Sequence, residues 1–340
     1  MKNILVVEDS LVMQTMLSES LSNAGFNVKK ASSFSQVLEL FENTDNSFFL
    51  AILDLNLPDT QEDEIVSYML EKNIKSIVYS GSYDYKKVEE LMSKPIVDYV
   101  IKNSDKDIEY IASLAKKLTH YEDLNLLLVD DSNVTLAILE EYIKPLGFNI
   151  FTAKNGQDAI NIVGKQNISI VITDYYMPEM DGFELTKRLR SKYSKAELVI
   201  ISITSADSIE VSTKMIKYGA NSFLRKPYSK DELNTVVNNQ MSTLFHIKDK
   251  LKYQKDLTKL IKQIKVNNLQ NNLSKDQENK DNIKKLENAN SEIKRLQSVI
   301  KKQKIDYDYL CEKIKIDKEK SKVKETPYKT HTIDDYLSEQ

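Results

Sequence analysis

The chain has 340 residues, 41% of them hydrophobic, with a net charge of −3 and a mean hydropathy of −0.43. That length holds two or three domains with real cores. A single cysteine, Cys311, excludes an intrachain disulfide and a cysteine-rich metal site, and no apolar stretch has signal-peptide or membrane-spanning length, which fits a cytoplasmic setting.

Short apolar runs at Ile4–Val7, Val28–Ala31, Phe48–Leu53, Ile77–Tyr79 and Val97–Ile101 predict buried strands. Helical periodicity at Val12–Ala24, Ser35–Asn43 and Tyr85–Met92 predicts helices between them. The same alternation returns with strands at Leu126–Val129, Ile150–Ala153, Ile168–Thr173, Leu198–Ile203 and Ser222–Leu224. Continuous Val, Ile and Leu runs alternating with helices argue for a parallel sheet covered on both faces. Five such units in roughly 120 residues suit a flavodoxin-like, doubly wound (βα)5 domain. Two α/β domains are therefore expected, at 1–120 and 121–240.

From Asp231 the character changes. All seven glycines lie before residue 220, and neither Gly nor Pro occurs between Pro227 and Pro327. Long helices are expected over 241–325. Leu244, Ile247 and Leu251, then Leu257, Ile261 and Ile264, follow three/four spacing; residues 270–282 break the stripe, and it resumes from Ile283 to Ile314. The pattern predicts an interrupted coiled coil, with Asn290 as a polar core position, or a helical hairpin. Residues 326–340 predict a flexible tail. Acidic residues are in excess before His246 and basic residues after it. Lys and Glu are interspersed there, and no helix-turn-helix pattern follows residue 240. A solvated helix face is expected rather than a specific nucleic-acid surface.

One constellation occurs twice at the strand ends. The first copy is Glu8-Asp9, Asp54, Ser80 and Lys102; the second is Asp130-Asp131, Asp174, Thr204 and Lys226. Hydroxyl and lysine are 22 residues apart in both. Three carboxylates without His or Cys favour a hard, oxygen-bound cation such as Mg²⁺. An aspartate beside such a cation can accept a phosphoryl group as an aspartyl phosphate. The lysine supplies a second positive charge for the phosphoryl oxygens.

Val6-Val7-Glu8-Asp9-Ser10 and Leu128-Val129-Asp130-Asp131-Ser132 resemble the first strand and acidic pair of response-regulator receiver domains. Leu53-Asp54-Leu55-Asn56-Leu57-Pro58 and Thr173-Asp174-Tyr175-Tyr176-Met177-Pro178 are similar to their phosphoacceptor loop, and Phe223-Leu224-Arg225-Lys226-Pro227 to their final strand. The resemblance covers about residues 1–240. It implies Asp54 and Asp174 as phosphoacceptors. Mg²⁺ would be held by Glu8, Asp9, Asp54 and the carbonyl of Asn56 in one copy, and by Asp130, Asp131, Asp174 and the carbonyl of Tyr176 in the other. Ser80 and Thr204 are implied as switch hydroxyls, Lys102 and Lys226 as phosphoryl-pairing lysines, and Tyr99 and Phe223 as switch aromatics. The first copy departs from the pattern: Asn103 stands where the second has Pro227, and Pro58-Asp59 is not followed by a pair like Asp181-Gly182.

The arrangement also resembles bacterial tandem-receiver regulators that normally end in a diguanylate cyclase. Asp256-Leu257-Thr258-Lys259-Leu260 is a distorted echo of the element that opens such a cyclase, but the chain has no Gly-Gly pair to approach nucleotide. A non-enzymatic response regulator is expected. Its implied partners are a sensor histidine kinase or phosphotransfer protein and a protein bound by the C-terminal helices, with a homodimer as one possible assembly. A phosphate sink or scaffold is the alternative reading, and a degenerate cyclase relative the third.

Overall fold

The computed structural model describes residues 1–42, 47–61, 63–81, 85–205, 214–271, 288, 291–292 and 295. Residues Met1–Lys255 form one compact unit. Its first half runs β1 (Asn3–Val7), α1 (Leu11–Asn23), β2 (Asn27–Ala31), α2 (Phe34–Glu42), β3 (Leu50–Leu53), α3 (Glu64–Glu71), β4 (Lys75–Ser80), α4 (Tyr85–Ser93), β5 (Asp98–Ile101) and α5 (Asp105–Tyr121). Its second half runs β6 (Asn125–Val129), α6 (Asn133–Ile143), β7 (Asn149–Ala153), α7 (Gly156–Lys165), β8 (Ile168–Asp174), α8 (Gly182–Arg190), β9 (Val199–Ser205), β10 (Ser222–Lys226) and α9 (Lys230–Asn271).

Each half holds a five-stranded parallel sheet, in the orders β2-β1-β3-β4-β5 and β7-β6-β8-β9-β10. The expected α/β architecture is thus present twice. All of β3 and β8 is buried; β3 is wholly apolar, and β8 is apolar except for Ser169, Thr173 and Asp174. The chain order reverses between β1 and β3, and between β6 and β8. A crevice opens at that point, beyond the carboxyl ends of the strands. Strand starts shift slightly from the sequence expectation. Phe48 and Phe49 precede β3 and spend their rings on packing: Phe41 meets Phe48 edge-on and Phe26 stacks on Phe49.

The two halves share one core. Leu17, Ile52, Ile111 and Leu118 belong to the same apolar cluster as Leu128, Leu139, Val237 and Leu244. Only Glu122, Asp123 and Leu124 separate α5 from β6. Tyr121, fully buried, stacks on Phe148 at 4.3 Å and donates its hydroxyl to Asn238 Oδ1 at 2.8 Å. Glu122 pairs with both Lys2 and Lys75. Lys230, buried at the start of α9, donates to the carbonyls of Met92, Lys94 and Ile96 at 3.2, 2.7 and 3.0 Å.

The long helix expected after Asp231 is α9, which starts at Lys230. The apolar stripe from Ile283 to Ile314, with Asn290, and the tail at 326–340 lie outside the described residues. None of the described helices is long and apolar enough to cross a membrane.

Candidate functional site

Both constellations assemble at the carboxyl ends of their sheets. In the first, β1 delivers Glu8 buried and Asp9 exposed, and β3 delivers Asp54, also buried. Parallel pairing of Val7 with Leu53 makes these ends neighbours, and the Asp54 N–H donates to Val7 O at 2.9 Å. Carboxylate oxygens of Glu8, Asp9 and Asp54 all lie within 4.8 Å of one another. The Lys102 ammonium bridges two of them, at 2.8 Å from Glu8 Oε2 and 2.7 Å from Asp54 Oδ2. Burial raises the Glu8 pKa against the pull of Lys102. Burial also opposes the charge on Lys102, but its bonds to Asp54 and Glu8 outweigh that and raise its pKa. The Asn56 N–H donates to Asp54 Oδ1 at 3.2 Å. Ser80, buried at the end of β4, shares a hydrogen bond with the Tyr99 hydroxyl.

The second site repeats the plan with looser contacts. Asp130 follows β6 and is buried, Asp131 is exposed, and Asp174 ends β8. Lys226 Nζ lies 2.6 Å from Asp174 Oδ1 and 3.5 Å from Asp130 Oδ2. That Asp130 oxygen is buried and accepts no hydrogen bond among the described residues. Burial raises the Asp174 pKa, opposed by Lys226 and reinforced by Asp130. The Tyr176 N–H donates to Asp174 Oδ2 at 2.9 Å, matching Asn56 in the first site. Thr204 is buried in β9, and its hydroxyl donates to Ser205 O at 3.3 Å. Phe223 is half-buried in β10, beside Arg225.

The acceptor loops are built differently. Gly182 opens α8 against the Asp174 backbone, where an added Cβ would stand 2.3 Å from Asp174 O. Asp181 caps α8 by accepting from the Glu184 N–H at 2.7 Å. In the first half Asp59 instead reaches across to α2, accepting from the N–H groups of Phe34 and Ser35. The Lys226-Pro227 bond is cis. At the corresponding turn, the Asn103 and Ser104 N–H groups both donate to Asp107 Oδ2, at 2.8 and 2.6 Å.

Gln14 is a supporting residue that the sequence reading passed over. Its buried amide donates to Glu8 O and Ala31 O, both at 3.0 Å, and so ties the acidic loop to α1. The signal was a Gln between Met13 and Leu17 on an otherwise buried helix face; Leu136 stands at the equivalent place in the second half.

The donor sets suit a hard divalent cation. The first offers three carboxylates in mutual reach, and the second a buried carboxylate oxygen without a hydrogen bond among the described residues. Two doubly wound domains, each with acids, hydroxyl and lysine at its switch point, define a tandem receiver protein. The response regulator receiver domain family matches residues 4–111 and 126–238, well over half the chain, and the chain belongs to that family. A solved response regulator/GGDEF domain protein superposes with a TM-score of 0.66 at 28% identity, over 72% of this chain and 99% of its own. The sensor histidine kinase RcsC of Escherichia coli K12 is 33% identical over 128 residues, which are 38% of this chain and 13% of the kinase. The rice two-component response regulator ORR5 is 30% identical over 111 residues, 32% of this chain and 83% of the rice protein.

Proposed function

We propose that the chain is a two-component response regulator that accepts phosphoryl groups on Asp174 and Asp54. The observation that carries this reading is the paired geometry: in both halves a buried aspartate at a strand end meets a lysine ammonium, at 2.7 Å for Asp54 and 2.6 Å for Asp174. A carboxylate oxygen attacks the donor's phosphorus as the bond to the leaving group breaks, and that group departs with the electron pair. Lys102 or Lys226 then turns from the carboxylate to the new phosphoryl oxygens. The backbone N–H of Asn56 or Tyr176 holds the attacking carboxylate in orientation. Glu8, Asp9, Asp54 and the Asn56 carbonyl, or Asp130, Asp131, Asp174 and the Tyr176 carbonyl, would hold Mg²⁺, which would supply charge neutralisation on the transferred group. Ser80 and Thr204 serve as the switch hydroxyls, and Tyr99 and Phe223 as the aromatics that follow them.

The phosphoryl donor is a sensor histidine kinase or phosphotransfer protein. Output runs through α9 and the helical segment beyond it to a protein partner. Domain limits of 1–120, 121–240, 241–325 and 326–340 go with this reading. Incubation with acetyl phosphate and Mg²⁺, followed by intact-mass measurement, tests it. Adducts lost on Asp54→Ala and Asp174→Ala support it. A wild-type chain without an adduct, or an adduct unchanged in the double variant, refutes it.

A further inference from the structure

Lys230 is an amine of the second half that is more than nine-tenths buried, yet all three of its acceptors belong to the first: the carbonyls of Met92, Lys94 and Ile96. Met92 lies in the last turn of α4, so the ammonium sits where the helix leaves carbonyls unpaired and its dipole favours a cation. Lys230 therefore caps a helix of one receiver from the other.

The contacts on either side lead to the two phosphoacceptor sites. Ile96 lies two residues before Asp98, whose carboxylate accepts from the Tyr99 N–H at 2.8 Å and the Tyr110 hydroxyl at 2.6 Å. The Tyr99 hydroxyl shares a hydrogen bond with Ser80, at the first site. In the other direction, Lys230 follows Lys226 by four residues, and Lys226 is bonded to Asp174. The intervening turn is stiff: the Ser229 N–H donates to Glu232 Oε2 at 2.8 Å, and the Glu232 N–H returns to Ser229 Oγ at 3.1 Å. One turn further along α9, Asn234 is buried with both amide atoms unpartnered among the described residues.

We propose that Lys230 is a coupling residue: through its cap on α4, occupancy of the Asp54 site and occupancy of the Asp174 site change one another's affinity. The inference rests on the phosphoacceptor reading of both aspartates. Thermodynamic linkage makes the effect reciprocal, the same factor acting in both directions.

The test titrates beryllofluoride with Mg²⁺ into the full chain and reads each site by ¹⁹F NMR, with the signals assigned from Asp54→Ala and Asp174→Ala chains. The affinity of each site is expected to differ at least about fivefold between a filled and a blocked partner site. Lys230→Met is expected to bring that factor to one. In the Asp54→Ala chain with Lys230 intact, filling the Asp174 site is expected to change amide hydrogen exchange across Met92–Tyr99. That second measurement decides the matter if Lys230→Met does not fold. Independent affinities in the wild type, coupling that survives Lys230→Met, or unchanged exchange over Met92–Tyr99 overturns the inference alone. Absence of beryllofluoride at both sites overturns the phosphoacceptor reading, and the inference with it.

Discussion

The two receivers share a sheet order and a set of charges but solve the same electrostatic problem differently. In the first, one lysine bridges two buried carboxylates, and three acids crowd within 4.8 Å. In the second, the lysine lies 2.6 Å from Asp174 but 3.5 Å from Asp130, whose buried oxygen accepts no hydrogen bond among the described residues. The sequence placed the erosion in the first copy, where the acceptor-loop Asp-Gly pair and the final proline are missing. The acid cluster there is nevertheless the tighter one. The losses were made good locally: Asp107 holds the turn that Pro227 holds in the second copy, and Asp59 caps a different helix. A receiver can thus lose flanking motif residues and keep its charge geometry, because the strand ends, not the loops, position the charges.

The largest expected effect comes from removing the shared cation of the first site. Lys102→Met leaves Glu8 and Asp54 buried together, and should destabilise the chain by roughly 3–5 kcal/mol in denaturant melts without Mg²⁺. Added Mg²⁺ should restore part of that loss. If Lys226→Met costs as much, the contrast between the sites is broken.

Gly182→Ala comes next. Its methyl group meets a backbone oxygen that cannot move cheaply, so a loss of about 1–3 kcal/mol is expected. Peptide-resolved mass spectrometry should show labelling by acetyl phosphate falling at Asp174 and holding at Asp54.

A pH effect sharpens the comparison further. Burial pushes the Asp98 carboxyl up to about 6, against hydrogen bonds from Tyr110 and the Tyr99 N–H. Between its ordinary value of 3.8 and about 6 the folded chain holds a proton that the unfolded chain has released. Stability from this group is therefore present below pH 3.8 and lost as pH rises through 6, by roughly 2 kcal/mol once its partial exposure is allowed for. Asp98→Asn should remove that slope, giving a variant more stable than wild type at pH 7 and level with it near pH 4. Equal slopes in the two chains would refute the assignment.

The smallest effect is at the caps. Asp107→Ala should cost about 1 kcal/mol in thermal melts, with α5 fraying at its start. Glu232→Ala at the matching place in α9 should cost a similar amount, because both caps use the same backbone geometry.

Much of this was legible in the sequence because parallel strands write themselves as unbroken apolar runs. Glu8, Asp54, Asp130 and Asp174 each end such a run, so fold and site were read from the same local pattern. The contact between the receivers was not legible. Lys230, Asn234 and Asn238 lie four residues apart on one face of a helix, and polar residues at that spacing read as a solvated surface. The hydrogen-bond partners of Lys230 and Asn238 are more than a hundred residues away in the chain, and no local periodicity encodes which surface meets which. The role of Asp59 was not legible either: it binds the N-terminus of α2, some 25 residues earlier in the chain.

The Tyr121–Phe148 stack and the three residues that follow Tyr121 bear on how this protein can be taken apart. Here a cut between Tyr121 and Asn125 would open a continuous oily interior to water on both fragments and strip Lys230 of its three acceptors. Met1–Lys255 is better regarded as one body with two candidate sites than as two beads on a string.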